Sequence, residues 1–335
     1  MWTVHNDTPY KVGKTWVRNK EGIHQWIVVV KATYEIKSDG TTVLADEQLD
    51  PLLLPEYRGE PGLSSLRYDA DLVAPKPTTD ILLNGTAYAP HGRWSSDFLV
   101  GLRVGAIRKV LRVRGEREWV CGLFGARPSE ARPVLSVPII YERAFGGYDR
   151  TSDDVRNHCM DARNPVGRGV CAVPDHRKGQ ALANLEYPDG DVEHRGPACF
   201  GAIDSFWSPR REYAGTYDEI WRDSRAPLLP ADWDSRSLLS APPDQRPVNH
   251  LTGREPVVLV NLTPSGRLSF DLPRVYLTFS TQIATHAEAH RSRLATVIIE
   301  PDHPRVIMVW QTSLDCRTNV EYLEKTVVRE KEMIS

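Results

Sequence analysis

Two patterns of apolar and polar positions alternate along the chain. Residues 26–30 form an unbroken apolar run, Trp-Ile-Val-Val-Val. Residues 31–37 then alternate, with Ala32, Tyr34 and Ile36 on one face and Lys31, Thr33, Glu35 and Lys37 on the other. A period of two residues predicts a half-buried strand. Ser38-Asp39-Gly40 supplies a turn, and residues 41–44 can return as its hairpin partner. A loop rich in proline and glycine spans 51–77. Strand patterns then recur at 80–88, 98–104, 107–113 and 117–120, with Gly115-Glu116 as the turn between the last two. Residues 134–140 continue the pattern, and Pro138 suggests an edge position. β patterning returns at 257–262, 268–272 and 275–279, the first two joined by a strong turn at 263–266. Residues 296–300 and 305–310 flank Pro301-Asp302-His303-Pro304 and read as a hairpin.

From Glu142 to Arg254 sustained periodicity lapses. Within this middle segment, residues 207–248 carry Trp207, Tyr213, Tyr217, Trp221 and Trp233 together with six prolines. Disordered segments are poor in large aromatics, so this is an ordered connection, and long ordered connections usually carry a function. Thr216-Tyr217-Asp218-Glu219 matches a capping box, in which the Thr216 hydroxyl caps the helix and Glu219 reaches back. The predicted helix is short, about two turns, because Pro227 follows. Tyr217 shares a face with Ile220 and Trp221. The tail from Asn319 places Val320, Leu323 and Val327 at helical spacing.

These patterns predict a mainly β fold: a sandwich-like or barrel-like antiparallel body with a long irregular central insertion and few short helices. The preferred organisation is a single domain over 1–335. It comprises an N-terminal β block (1–141), the aromatic-rich middle (142–254), a C-terminal β block (255–318) and a tail (319–335). Two separate β domains are the alternative.

Composition narrows the function. At 335 residues, with 41% hydrophobic and 26% charged, the chain can build a core without staples. A net charge of −2 opposes sequence-independent nucleic-acid binding, which needs concentrated positive charge. The basic run from Arg103 to Arg117 alternates with apolar residues and reads as the solvated face of a sheet. No apolar run approaches the ~20 residues of a membrane span, and the start lacks the basic-then-apolar order of a secretory leader. Five widely spaced cysteines indicate no disulfide framework. The expectation is a cytoplasmic protein with neither nucleic-acid nor membrane partners.

Candidate chemistry is sparse. His158, Cys159, Cys171, His176, His194 and Cys199 bring zinc-binding residue types together, but no C-x-x-C or H-x-x-x-H pair presents two of them on one tight loop. Cys159, Cys171, His176 and Cys199 therefore remain only weak metal candidates. Asp218, Glu219, Asp232 and Asp234 lie among tryptophans, as in a carbohydrate-binding or glycoside-hydrolysing site. Glu219 is equally explained by the capping box, and the two later aspartates by turns beside Pro230. There is no G-x-S-x-G elbow. Cys121 reads as a small buried hydrophobe, and the glycines of RAFGGYD and NPVGRG read as tight turns rather than phosphate loops. No catalytic constellation and no cofactor is indicated.

Six stretches, in order, carry a resemblance. They are YERAFGG (141–147), NPVGRG (164–169), AGTYDEIW (214–221), LPADWDSR (229–236), APPDQRP (241–247) and LTGREPVVLVNLTPSGRLSFDLP (251–273). Together they resemble a bacterial family catalogued as a domain of unknown function, whose members are encoded beside type VI secretion spike proteins and toxic effectors. The resemblance extends from Val4 through the strand ending at Trp310. It implies a non-enzymatic adaptor or chaperone that binds a cognate effector in the cytoplasm, stabilises it and promotes its loading onto the spike protein or its tip protein. Trp233 stands where the family often has Phe, and Val170-Cys171 follows NPVGRG where Phe is common. The resemblance carries no binding residues over. From the residues alone, Trp207, Tyr213, Tyr217, Trp221 and Trp233 are the partner-binding candidates, since Trp, Tyr and Arg dominate interface hot spots. The competing expectation is that most of these aromatics are buried, fastening the middle segment to the sheets. An exposed sheet edge is a second route to a partner.

Overall fold

The computed structural model describes residues 2–122, 125–173, 176–316 and 320–331. The protein is mainly β, and antiparallel pairing predominates. The central sheet runs, in spatial order, Lys11–Arg18, His24–Ile36, Arg305–Asp315, Arg293–Glu300 and Asp80–Leu83, with Thr42–Leu44 beside His24–Ile36. Only Asp80–Leu83 lies parallel to its neighbour. The apolar run at 26–30 is explained by burial on both faces. Trp26, Val28 and Val30 enter the main core, while Ile27 and Val29 join Val309 and Leu72 on the opposite side.

The alternation at 31–37 misleads on one point. Lys31 and Thr33, expected on a solvated face, are buried. A loop crosses that face and supplies their partners. Lys31 Nζ donates to Asp71 at 2.8 Å, and the Gln48 side chain meets both the N–H and the C=O of Thr33. Polar residues can thus occupy a covered face when each group is satisfied.

A second sheet runs Leu185–Glu186, Ile107–Arg114, Asp97–Val104, Pro256–Val260 and Arg267–Asp271. Arg103 and Arg108 of the basic run are exposed, but Lys109 is buried. Gly115-Glu116 does not turn a hairpin. Ile107–Arg114 pairs with Asp97–Val104, whereas Trp119–Gly122 pairs with Gly125–Pro128. Gly115 serves a close approach instead: a Cβ there would lie 1.7 Å from the Arg132 carbonyl oxygen. Cys121, expected in the core, is exposed on this short ribbon.

The third sheet runs Thr3–Asp7, Leu323–Glu330, Leu277–Ile283 and His286–Arg291, so the two ends of the chain pair in parallel. The tail expected as a helix is therefore a strand after one 3₁₀ turn at Val320–Tyr322; residues 317–319 lie outside the described residues. Pairing on both sides overrides the apolar spacing that suggested a helix, because a strand here buries Leu323, Thr326 and Val328. All three sheets contribute to one core cluster, which includes Val28, Leu111 and Phe279. Full burial of each such side chain contributes about 1.5–3 kcal/mol. Among the described residues no helix is long and apolar enough to cross a membrane.

The middle segment is built of two-residue ladders and short helical turns. Two of the sequence motifs interlock here. Asn164 Nδ2 donates to the carbonyls of Tyr141 and Phe145 at 2.8 and 2.9 Å. Gly146 and Gly147 sit at φ +142° and +102°, where a Cβ would lie 2.2 Å from Asn164 O and 2.4 Å from Gly167 O. Only glycine fits both the backbone and the space.

Candidate functional site

Residues 207–248 divide into a buried root and a projecting lobe. The root fastens to the sheets through satisfied polar groups. Trp207 is buried with its ring edge-on to Tyr141, centroids 5.3 Å apart. The buried Arg210 side chain pairs with Asp69 at 2.8 Å and donates to the carbonyls of Ile203 and Ser237. Asp80, on the central sheet, accepts from the N–H groups of Ser240 and Ala241, both at 2.9 Å, and from Lys76 Nζ at 2.7 Å. Burial acts to raise the Asp80 carboxyl, but Lys76 and these donors outweigh it and hold the group below its ordinary value. Gln245 Nε2 bonds the carbonyls of Ile81 and Phe200.

The lobe, residues 213–236, is closed mainly by its own contacts. Asp234 N–H donates to the Tyr213 carbonyl at 3.0 Å, and Asp232 accepts from both the N–H and the hydroxyl of Thr216 at 3.0 and 2.7 Å. Its tip rests on the turn after Lys11–Arg18: Arg225 donates to the Lys20 carbonyl, and Lys20 Nζ to that of Trp233. The predicted helix is present but shorter and later, Glu219–Ser224. Its cap is Asp218, which accepts from Trp221 N–H at 2.8 Å. Thr216 lies two residues before that cap, and its hydroxyl donates to Asp232 instead.

The five aromatic candidates separate accordingly. Trp207 is buried, Tyr213, Trp221 and Trp233 are half-buried, and Tyr217 is 55% exposed. Tyr217 packs edge-on against Trp221 at 4.8 Å, beside Ile220, which is 75% exposed. Arg236 stacks over Tyr213 at 4.2 Å. The lobe thus presents an aromatic and aliphatic surface whose backbone is fixed in advance. Phe206, 78% exposed at the root, was not singled out in the sequence; nothing in Phe-Trp-Ser-Pro marks which of the two aromatics faces outward.

The four carboxylates of the lobe singled out above are committed to local structure. Asp232 lies below its ordinary value because the Thr216 N–H and hydroxyl donate to it, and Asp234 because Arg236 does. Asp218 caps the helix, and Glu219 faces Arg222 at 3.5 Å. A glycosidase general acid needs a raised pKa, which neither Asp232 nor Asp234 has.

Beside the root lies a 330 Å³ groove whose lining includes Tyr141, Arg163, Tyr187, Arg195, Pro243 and Asp244. Three of the sequence motifs meet or adjoin here. Tyr187 is flanked by Arg195, 4.7 Å from its ring, and by Lys109 at 5.4 Å. The three donors of buried Lys109 meet Cys199 O, Asp244 Oδ1 and Gln245 Oε1 at 2.7, 2.8 and 2.8 Å. Burial lowers its pKa and Asp244 partly restores it. With every N–H used, Lys109 is a strut rather than a nucleophile. The sequence does hold its signal, since alternation in Ile107–Arg114 places Lys109 on the face of Leu111 and Val113.

The weak metal candidates are dispersed over the middle segment. Cys159 and Cys171 line one pocket near Asp149, and burial raises both thiols. His176 Nδ1 lies 3.0 Å from the Thr151 hydroxyl. Cys199 is buried in the main core. Among the described residues no three His, Cys, Asp or Glu side chains gather as a metal site would require.

Fold and site define a mainly β protein whose middle segment, rooted in the sheets, holds an aromatic lobe at the surface. Residues 21–311 match the bacterial family described as "Uncharacterized protein conserved in bacteria (DUF2169)", and the chain belongs to that family. No curated protein and no solved structure matches the chain.

Proposed function

We propose that this protein is a type VI secretion adaptor. It binds a cognate toxic effector in the cytoplasm, stabilises it and promotes its loading onto the spike protein or its tip protein. The genomic association implied by the ordered motifs supports the secretion context. The observation that carries the binding role is the lobe, where Tyr217 and Ile220 are exposed on a framework closed by Thr216–Asp232 and Tyr213–Asp234 bonds. Pre-ordered aromatic surfaces bind partners with little further loss of conformational entropy.

The test is co-expression of the tagged protein with the effector encoded beside it, followed by pull-down and measurement of effector level. Retention of the effector, with a higher effector level, is expected. Absence of both would sink the adaptor reading.

A further inference from the structure

A second site lies where His286–Arg291 passes into Arg293–Glu300, and no residue of the lobe lines it. The chain there borders a 440 Å³ pocket lined by residues that include Arg291, Ser292, Arg293, Lys76, His250 and Ser313. No Asp or Glu lines it. Lys76 is already neutralised, its Nζ bound to Asp80 at 2.7 Å and to the Thr296 hydroxyl at 3.0 Å. Arg291 and Arg293 are exposed, and no described carboxylate pairs with either, so their positive charge is uncompensated.

His250 borders the same pocket without adding a donor to it. Its Nδ1 lies 3.0 Å from the Leu294 carbonyl, which fixes that nitrogen as the donor. Its Nε2 is buried without a hydrogen-bond partner among the described residues. With Nδ1 donating, Nε2 is an acceptor, so the positive side of the pocket comes from the two arginines. Burial lowers the His250 pKa, and nearby Arg293 lowers it further, which places that guanidinium charge within electrostatic reach of the ring.

We propose that this pocket binds an oxyanion, a phosphate or carboxylate group, through Arg291 and Arg293, with the Ser292 and Ser313 hydroxyls completing the site. Guanidinium groups match both oxyanions in geometry and charge. The pocket is larger than one such group, so it has room for the molecule that carries it.

The experiment is thermal unfolding of the full chain in millimolar sodium phosphate, sulfate or citrate, each matched in ionic strength with chloride. At a ligand concentration a hundredfold above Kd, Tm should rise by roughly 3–4 °C over chloride. A rise with phosphate and sulfate alone assigns a phosphate-like group, and a rise with citrate assigns a carboxylate. Because such salts also stabilise proteins generally, two variants decide. Arg291→Gln/Arg293→Gln should abolish the rise. Arg103→Gln/Arg108→Gln, which removes two exposed charges from the second sheet, should keep it. Equal Tm in all salts overturns the proposal. So does a rise that survives in the first variant or vanishes in both.

Discussion

The indole N–H of Trp26 donates to the hydroxyl of Thr326 at 2.8 Å, joining the central sheet to the sheet that holds both chain ends. The bond spans 300 residues of sequence and is buried. Thr326 also lies 2.7 Å from the Thr281 hydroxyl. Replacing Thr326 by Val keeps the shape but strands the buried indole donor. Such a loss costs about 1–3 kcal/mol. Urea unfolding should show a lower midpoint with an unchanged slope, whereas Thr326→Ser, which keeps the hydroxyl, should lose less.

The same seam carries a pH dependence. His290 lies 2.7 Å from Thr281 Oγ1 and 2.6 Å from Thr312 Oγ1, and burial lowers its pKa from 6.5 to about 4. Between those two values the unfolded chain holds the proton and the folded chain does not. Stability from this group is therefore complete above about pH 6.5 and is lost as pH falls to about 4. His290→Gln cannot take up the proton and should flatten the fall in Tm across that window. An unchanged pH slope in the variant would falsify the assignment.

A third test concerns the attachment of the root. Asp80 is fully buried and holds Lys76 on one side and the Ser240–Ala241 backbone on the other. Lys76→Met leaves that carboxylate without its counter-charge, and breaking a buried pair by removing one partner costs about 3–5 kcal/mol. Adding Asp80→Asn should recover part of the loss, because it removes the unpaired charge, while its one amide oxygen can accept from only one of the Ser240 and Ala241 N–H groups, which Asp80 binds through different oxygens. Chemical denaturation reads the stability. Limited proteolysis should show faster cleavage near 240–248 in the single variant alone.

How much of this was legible in the sequence depends on what covers each element. The runs at 26–30 and 296–310 are apolar enough to announce strands, and the fold places them in adjacent strands of the central sheet. Lys31 and Lys109 were misread or passed over because a lysine normally marks solvent. Their burial depends on Asp71 and Asp244, which are 40 and 135 residues away and cannot be paired from spacing. The tail failed for the same kind of reason: Leu323–Glu330 is a strand because Thr3–Asp7 and Leu277–Ile283 flank it. The capping box identified the helix, but its first turn starts at Glu219, so Asp218 rather than Thr216 takes the cap, while Thr216 turns to Asp232 across a loop. The lobe aromatics were visible as composition, yet their separation into root and surface required the tertiary contacts.

That separation gives the most direct test of the adaptor reading. Tyr217 and Ile220 are exposed and outside the core cluster, so Tyr217→Ala/Ile220→Asn should change stability by less than about 1 kcal/mol. Hot-spot residues at an interface cost about 2 kcal/mol or more when truncated, so the pair should weaken effector binding roughly 30-fold or more. Trp207→Ala gives the opposite signature. It opens a cavity against Tyr141, costs about 3–5 kcal/mol of stability, and lowers effector retention only in proportion to the folded fraction. Calorimetric affinity measured beside thermal unfolding separates the two. If the lobe variant binds the effector as tightly as the parent, the contact surface lies elsewhere, and the groove beside Tyr187 and Arg195 becomes the next surface to alter.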